Sequence, residues 1–370
     1  MSSAQAQSRT LLGHHSETIA AWRGIASLAV VFFHSFGAFS ARSIWAPLRP
    51  VQALSLYGWA GLDLFFVISG YCIFQRLGTA VRRRESVPAF WSDRALRILP
   101  TYWAALAVTL LVNLATWPFN HGRLADNFPL SVAGWLGELS VTRPLFDAHP
   151  LILVSWTLTC ELGFYAAAGL LLAVNRGSHR LLPAFAAGWL LCVLAGFAPE
   201  RSWLLPLQLW PNFFAGCCTW MAAQGWRARD WRRAGAGLGG LASLTAALVL
   251  GLGTFGGSGR SIAVGFAWIL LALLPLDSWL GRWAPVRLLT WVGAFSYSLY
   301  LIHVQVMTRV LNLGTRTIAP TGPLFAALWV VAVGLAIAAG WAFWRLVEGP
   351  CEQWRHRRLA RRRTAAAPAS

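Results

Sequence analysis

Arg23 and His34 stand eleven residues apart in an otherwise apolar run. On an α-helix that is about three turns, so the two side chains share a face about 16 Å apart. Ser27 falls on the same stripe. A guanidinium suits a phosphate, and a neutral imidazole, with an ordinary pKa of about 6.5, suits proton removal from a hydroxyl. The spacing fits a donor whose phosphates meet Arg23 while its reactive end approaches His34. Arg94 and Arg97, three apart, present neighbouring forks of the same kind. Thr157, Glu161 and Tyr165 recur at steps of four, and Ser296, Tyr300 and His303 form a second stripe. Together with Asp63, which interrupts an apolar run and needs a partner such as His34 or an arginine, they read as the lining of a cavity.

The elements that must position these residues are membrane-spanning helices. The chain has 370 residues, 57% hydrophobic and 12% charged, with mean hydropathy +0.54 and net charge +18. A soluble domain is about 45–50% apolar and about 25% charged, which excludes that class. The same oiliness excludes disorder and leaves too little polar sequence for a nucleic-acid-binding face. A span needs roughly 20 apolar residues. About ten such runs lie near 20–40, 52–75, 100–117, 151–174, 181–198, 203–223, 236–253, 260–276, 287–311 and 324–347. They are continuous, without the alternation of a transmembrane β-barrel. The fold class is an all-α polytopic transmembrane bundle. Charged residues inside spans are costly and mark function by default, which singles out Arg23, His34, Asp63, Glu161, His303 and Glu348.

The net charge follows from topology. All 31 basic residues are arginine. With ten spans and both termini cytoplasmic, 23 arginines fall on the cytoplasmic side and eight on the other, as the positive-inside rule requires. The boundaries are a cytoplasmic tail at 1–18, a membrane domain at 19–348 and an Arg-rich cytoplasmic tail at 349–370, suited to anionic lipid. The first run reads as a retained signal anchor. The six cysteines fall mostly within spans and form no disulfide or metal pattern. The longest outer segment, 118–150, holds Trp135, Glu138, Arg143, Asp147 and His149, and reads either as a lid over an acceptor site or as a solvated connection.

These segments, in order, resemble the acyltransferase-3 family of integral-membrane acyltransferases. The first-span pattern of Arg, ten residues, then His is matched by Arg23 and His34. Asp63, Phe65, Phe66, Ser69 and Gly70 match the second span, and Arg94, Arg97 and Pro100 the following Arg-x-x-Arg and Pro. Ser155, Trp156, Thr157, Leu158, Glu161, Phe164 and Tyr165 match a fourth motif. Ser296, Tyr297, Tyr300, Leu301 and His303 match a late one, and Glu348-Gly349-Pro350 the closing Glu-x-Pro. Val154 departs from the polar or aromatic residue common before the Ser-Trp pair, which bears on acceptor choice. The chain reads as the bare membrane domain, without the extra soluble domain of some relatives.

The resemblance implies transfer of an acyl group, most often acetyl from acetyl-CoA, to a carbohydrate hydroxyl, with no metal. On that basis Arg23, Arg94 and Arg97 are expected to hold the acyl-CoA phosphates. His34 is expected to act as general base or first acyl carrier, with Asp63 or Glu161 orienting it as a carboxylate does in a triad. Trp156, Tyr297, Tyr300 and His303 are expected on the acceptor side, the last three also as oxyanion donors. A transporter or flippase for polysaccharide or lipid-linked sugar is the alternative; the paired halves that many such folds show are not found.

Overall fold

In hydrocarbon every backbone N–H and C=O must be bonded within its own segment or a closed sheet. The computed structural model describes residues 17–36, 45–117, 128–146, 149–174, 181–198, 201–252, 258–318 and 322–365, and among these there are helices and no strand. The main helices are α1 (Glu17–Ser35), α2 (Ala60–Arg82), α3 (Val87–Thr116), α4 (Val132–Ser140), α5 (Trp156–Val174), α6 (Leu182–Gly196), α7 (Trp210–Arg227), α8 (Trp231–Val249), α9 (Ser258–Leu273), α10 (Ala284–Ala294), α11 (Ser296–Ile318), α12 (Pro323–Phe343) and α13 (Gly349–Ala365).

Where the residues are described, each of the ten apolar runs is largely helical, and six helical segments among them are long and apolar enough to cross a bilayer. The protein is a helical membrane bundle. Three boundaries differ from the sequence expectation, each for a local reason. α3 begins at Val87 instead of near 100, because the Ser86 hydroxyl caps the Ala89 N–H and Pro88 suits a first turn. Arg94 and Arg97 therefore sit on the same helix as the span that follows. The run expected at 287–311 is broken at Phe295 into α10 and α11. The last span continues through one π-helical turn, Trp344–Glu348, into α13.

Glycines set the closest approaches. A Cβ on Gly70 of α2 would collide with the Phe213 carbonyl of α7, and one on Gly216 of α7 with the Val67 carbonyl of α2. Small residues facing backbone in this way let membrane helices pack without a hydrophobic drive between them. This seam fixes α2, which carries Asp63 and Ser69, against the rest of the bundle. At the first helix, the Asp277 carboxylate accepts the Thr18 N–H at 2.8 Å and so satisfies one orphan donor of α1.

Gly216→Val should cost about 3 kcal/mol or more through forced helix separation. Gly235→Ala on α8, where an added methyl meets nothing within 4 Å, should instead stabilise by about 0.5–1 kcal/mol. Thermal unfolding of the purified variants in detergent reads both.

Candidate functional site

One cavity, about 940 Å³ including its open part, gathers residues from α1, α2, α3, α5, α11 and the start of α13. Its walls hold Arg23, Arg94, Arg97, Glu161, Tyr297 and Tyr300, six of the ten residues singled out from sequence, and with them Ser69, Glu348 and Glu352.

The arginines give the cavity its character. Arg94 spends one nitrogen, Nη2, on Asp93 Oδ2 at 2.6 Å, and its buried Nε has no hydrogen-bond partner. Arg23 and Arg97 make no hydrogen bond or ion pair within 4 Å among the described residues. Three guanidiniums thus line one space with donors to spare. Buried donors left unpaired are costly, so the arrangement is suited to a ligand with several acceptor oxygens.

The acids and tyrosines are more tightly held. Glu161 Oε1 accepts from Ser69 Oγ at 3.3 Å and from the Tyr165 hydroxyl. Glu348 Oε2 accepts the Ser298 N–H at 3.1 Å and its hydroxyl at 2.5 Å, a carboxylate at the N-terminal turn of α11. The Tyr297 hydroxyl donates to the Ile98 carbonyl at 3.0 Å. The Tyr300 hydroxyl lies 2.7 Å from Thr157 Oγ1 and 3.1 Å from the Val154 carbonyl, to which it donates. Both tyrosines thus brace the cavity wall with the hydroxyls that were expected to face an acceptor. Trp156 lies outside the lining, edge-on to Phe66.

His34 is not in the lining either. It packs against His303, which lies one turn beyond the lining residue Tyr300 on α11 and beside its ring. The two imidazoles determine each other's protonation. His303 Nδ1 sits 3.0 Å from the Leu299 carbonyl and 2.8 Å from that of Tyr300, so this nitrogen carries the hydrogen and Nε2 is an acceptor. His34 Nδ1 faces that acceptor at 3.1 Å and the Val30 carbonyl at 3.0 Å, so it too carries its hydrogen. The lone pair of His34 is left on Nε2. His303, fully buried, is the side chain that orients His34. Asp63 and Glu161, the sequence candidates for that task, are bonded elsewhere: Asp63 Oδ1 accepts from Asn212 Nδ2 of α7 at 2.7 Å.

Reasoning from charged residues missed Asn212, an amide whose only sequence signal is its place in the apolar run Leu209–Phe214. It also missed Glu352 in the cavity lining and the Asp93 and Arg355 side chains bonded to Arg94 and Glu352. Of the long segment at 118–150, residues 118–127 and 147–148 lie outside the described residues, Asp147 among them, as does the tail at 1–16. The described part is anchored: Glu138 is buried, accepts the Leu151 N–H at 2.9 Å and the Tyr102 hydroxyl at 3.3 Å, and forms an ion pair with Arg143 at 3.3 Å. Burial pushes the Glu138 carboxyl above the usual carboxylate range, opposed by the Leu151 N–H and Arg143.

These elements define a helical membrane protein with an arginine-lined cavity and a pair of imidazoles on α1 and α11. The sequence pattern described as Acyltransferase domain, Acyl_transf_3, matches residues 17–345. The chain belongs to this family of membrane acyltransferases. It is similar to the exopolysaccharide production protein ExoZ of Rhizobium meliloti (strain 1021), 32% identical over 38% of this chain and 41% of ExoZ. It is also similar to nodulation protein 10 of Rhizobium leguminosarum bv. viciae, 26% identical over 84% of this chain and 87% of that protein. A third relative, named membrane-bound transacylase BcsY, from Komagataeibacter xylinus, is 28% identical over 66% of this chain and 65% of BcsY. No solved structure matches.

Asn212→Leu should destabilise by about 2 kcal/mol or more, because it leaves the buried Asp63 carboxyl without its donor. The double variant Asp63→Leu/Asn212→Leu should lose less than Asn212→Leu alone, which a double-mutant cycle on thermal unfolding checks.

Proposed function

We propose that this chain is an acyl-CoA-dependent O-acyltransferase of a bacterial inner membrane. It crosses about ten times with both termini cytoplasmic, and moves an acyl group, acetyl, to a carbohydrate hydroxyl. The acceptor is a cell-envelope polysaccharide, a lipid-linked sugar or a glycosylated metabolite. The observation that carries the reading is the set of unspent guanidinium donors on Arg23, Arg94 and Arg97 in one cavity that ends against Tyr300, next to the His303–His34 pair. The family supports acyl transfer, and the names of ExoZ and BcsY support a polysaccharide setting and transacylation.

In the proposed mechanism the three arginines bind the donor's phosphates, and the wall at Phe65 and Tyr300 yields to let the thioester reach His34. Nε2 of His34 takes the proton of the acceptor hydroxyl. The hydroxyl oxygen bonds to the thioester carbon, the carbon–sulfur bond breaks, and the departing thiolate takes the proton from His34. While His34 is charged, its Nδ1–H still donates to the Val30 carbonyl and His303 Nε2, which spread the charge as the carboxylate does in a triad. The same Nε2 lone pair would serve an acyl carrier, and trapping of a hydroxylamine-labile acyl protein distinguishes that route.

His34→Ala should lower transfer of radiolabel from acetyl-CoA to membrane glycans by about 10²- to 10⁴-fold, the range of a general base, with normal insertion. Movement of sugar across the membrane without labelling would overturn the reading in favour of a flippase. His303→Leu should lower turnover with donor affinity retained, and His303→Gln, whose amide oxygen can accept from His34, should recover part of it.

A further inference from the structure

The family match ends at residue 345, yet the helix that follows contributes Glu352 to the cavity lining. On α13 the neighbours Trp354, Arg357, Arg358 and Arg361 are exposed, whereas Arg355 is only 5% exposed. A guanidinium buried on an otherwise solvated helix needs good acceptors to offset its lost hydration. Arg355 has two. Its Nη1 donates to Asp93 Oδ1 at 2.6 Å, 262 residues away in sequence. Its Nε and Nη2 donate to Glu352 Oε2 at 3.1 and 2.6 Å.

Each of these two carboxylates also stands near one of the cavity's arginines. Asp93 precedes Arg94 and already holds its Nη2 through Oδ2, the oxygen that also receives Arg76 Nε at 3.1 Å. Glu352 lines the cavity with Arg97. If Asp93 Oδ1 were released, the carboxylate could turn and take Arg94 with both oxygens, the bidentate geometry that guanidinium and carboxylate favour. If Glu352 were released, its carboxylate could swing to Arg97, which has no ion pair within 4 Å among the described residues. Either change would fill with a protein carboxylate the position a ligand phosphate would take.

We propose that Arg355 is a positioning residue of the donor site: it occupies Asp93 and Glu352 so that Arg94 and Arg97 stay available to the donor's phosphates. This rests on the acyl-CoA reading above. The residue touches no donor itself. It acts by engaging Asp93 Oδ1 and Glu352 Oε2, which keeps Asp93 from closing on Arg94 with both oxygens and Glu352 from pairing directly with Arg97.

The test is equilibrium binding of radiolabelled acetyl-CoA to the full chain in lipid nanodiscs. Arg355→Gln should weaken binding at least about 10-fold, and Arg355→Lys, a point charge that can serve one acid but not both, by less. The double variant Arg355→Gln/Glu352→Gln should regain a measurable part of the affinity, because the freed acid is gone. A merely structural role for Arg355 predicts the opposite, since the second substitution would remove another tail contact. Should Arg355→Gln fail to accumulate, Glu352→Gln alone gives the other arm: affinity equal to or tighter than wild type is expected, and a tenfold loss would overturn the proposal by making Glu352 a ligand. Unchanged affinity in Arg355→Gln, or no rescue in the double variant, also overturns it. A wild-type chain that binds no acetyl-CoA overturns the donor reading itself, and the inference with it.

Discussion

A guanidinium carried into a helical membrane bundle has left water behind and must be met by acceptors. How each arginine is met organises this protein. Arg76 is divided between Glu85 and Asp93, Arg355 between Asp93 and Glu352, and Arg94 is half satisfied by Asp93. Asp93, 2% exposed, is the common acceptor, and through it α2, α3 and α13 are joined at one end of the bundle. Arg23 and Arg97 are left facing the cavity. Arg76 and Arg355 each meet two carboxylates, whereas Arg23 and Arg97 meet none within 4 Å among the described residues.

The remainder of the cavity is held by short-range devices that keep polar groups from competing for those arginines. Glu348 is committed to the first turn of α11, and Glu161 to Ser69 and Tyr165. Tyr297 and Tyr300 are committed to backbone carbonyls on α3 and before α5. On α1 and α11, two imidazoles lock one another into a single tautomeric arrangement by using up helix carbonyls. Each of these is a hydrogen bond that a soluble protein could leave to water. Here the chain itself must supply the partner.

What could be read from the sequence follows from where the information lies. The helical class and the polar stripes are local, set by apolar runs and by steps of three and four residues, and six of the candidate residues meet in one cavity. The direction in which a side chain finds its partner is not local. Arg23 and His34 share a helix face, yet one lines the cavity and the other packs against His303, because helix packing decides which part of a face is covered. Asp63 called for a partner, but nothing nearby in sequence pointed to Asn212, an uncharged amide 149 residues away. Arg355 looked like one more arginine of a basic tail; only the packing of α13 on α3 distinguishes it from its exposed neighbours. The start of α3 was misplaced because its first turns are too polar to register as a span, although Ser86 and Pro88 carry the start signal.

The π turn at Trp344–Glu348 joins α12 to α13 as a continuous rod. Such a turn holds one more residue than an α-helical turn would. Loss of a single residue there would restore regular winding and rotate everything after it by about 100°, taking Arg355 off Asp93 and Glu352 away from the cavity. Over this stretch the protein is therefore tuned to a count as well as to a composition. In a lineage of such chains, substitutions at Arg345 or Leu346, both exposed, would pass easily, whereas a one-codon deletion would separate the tail from the site in a single step.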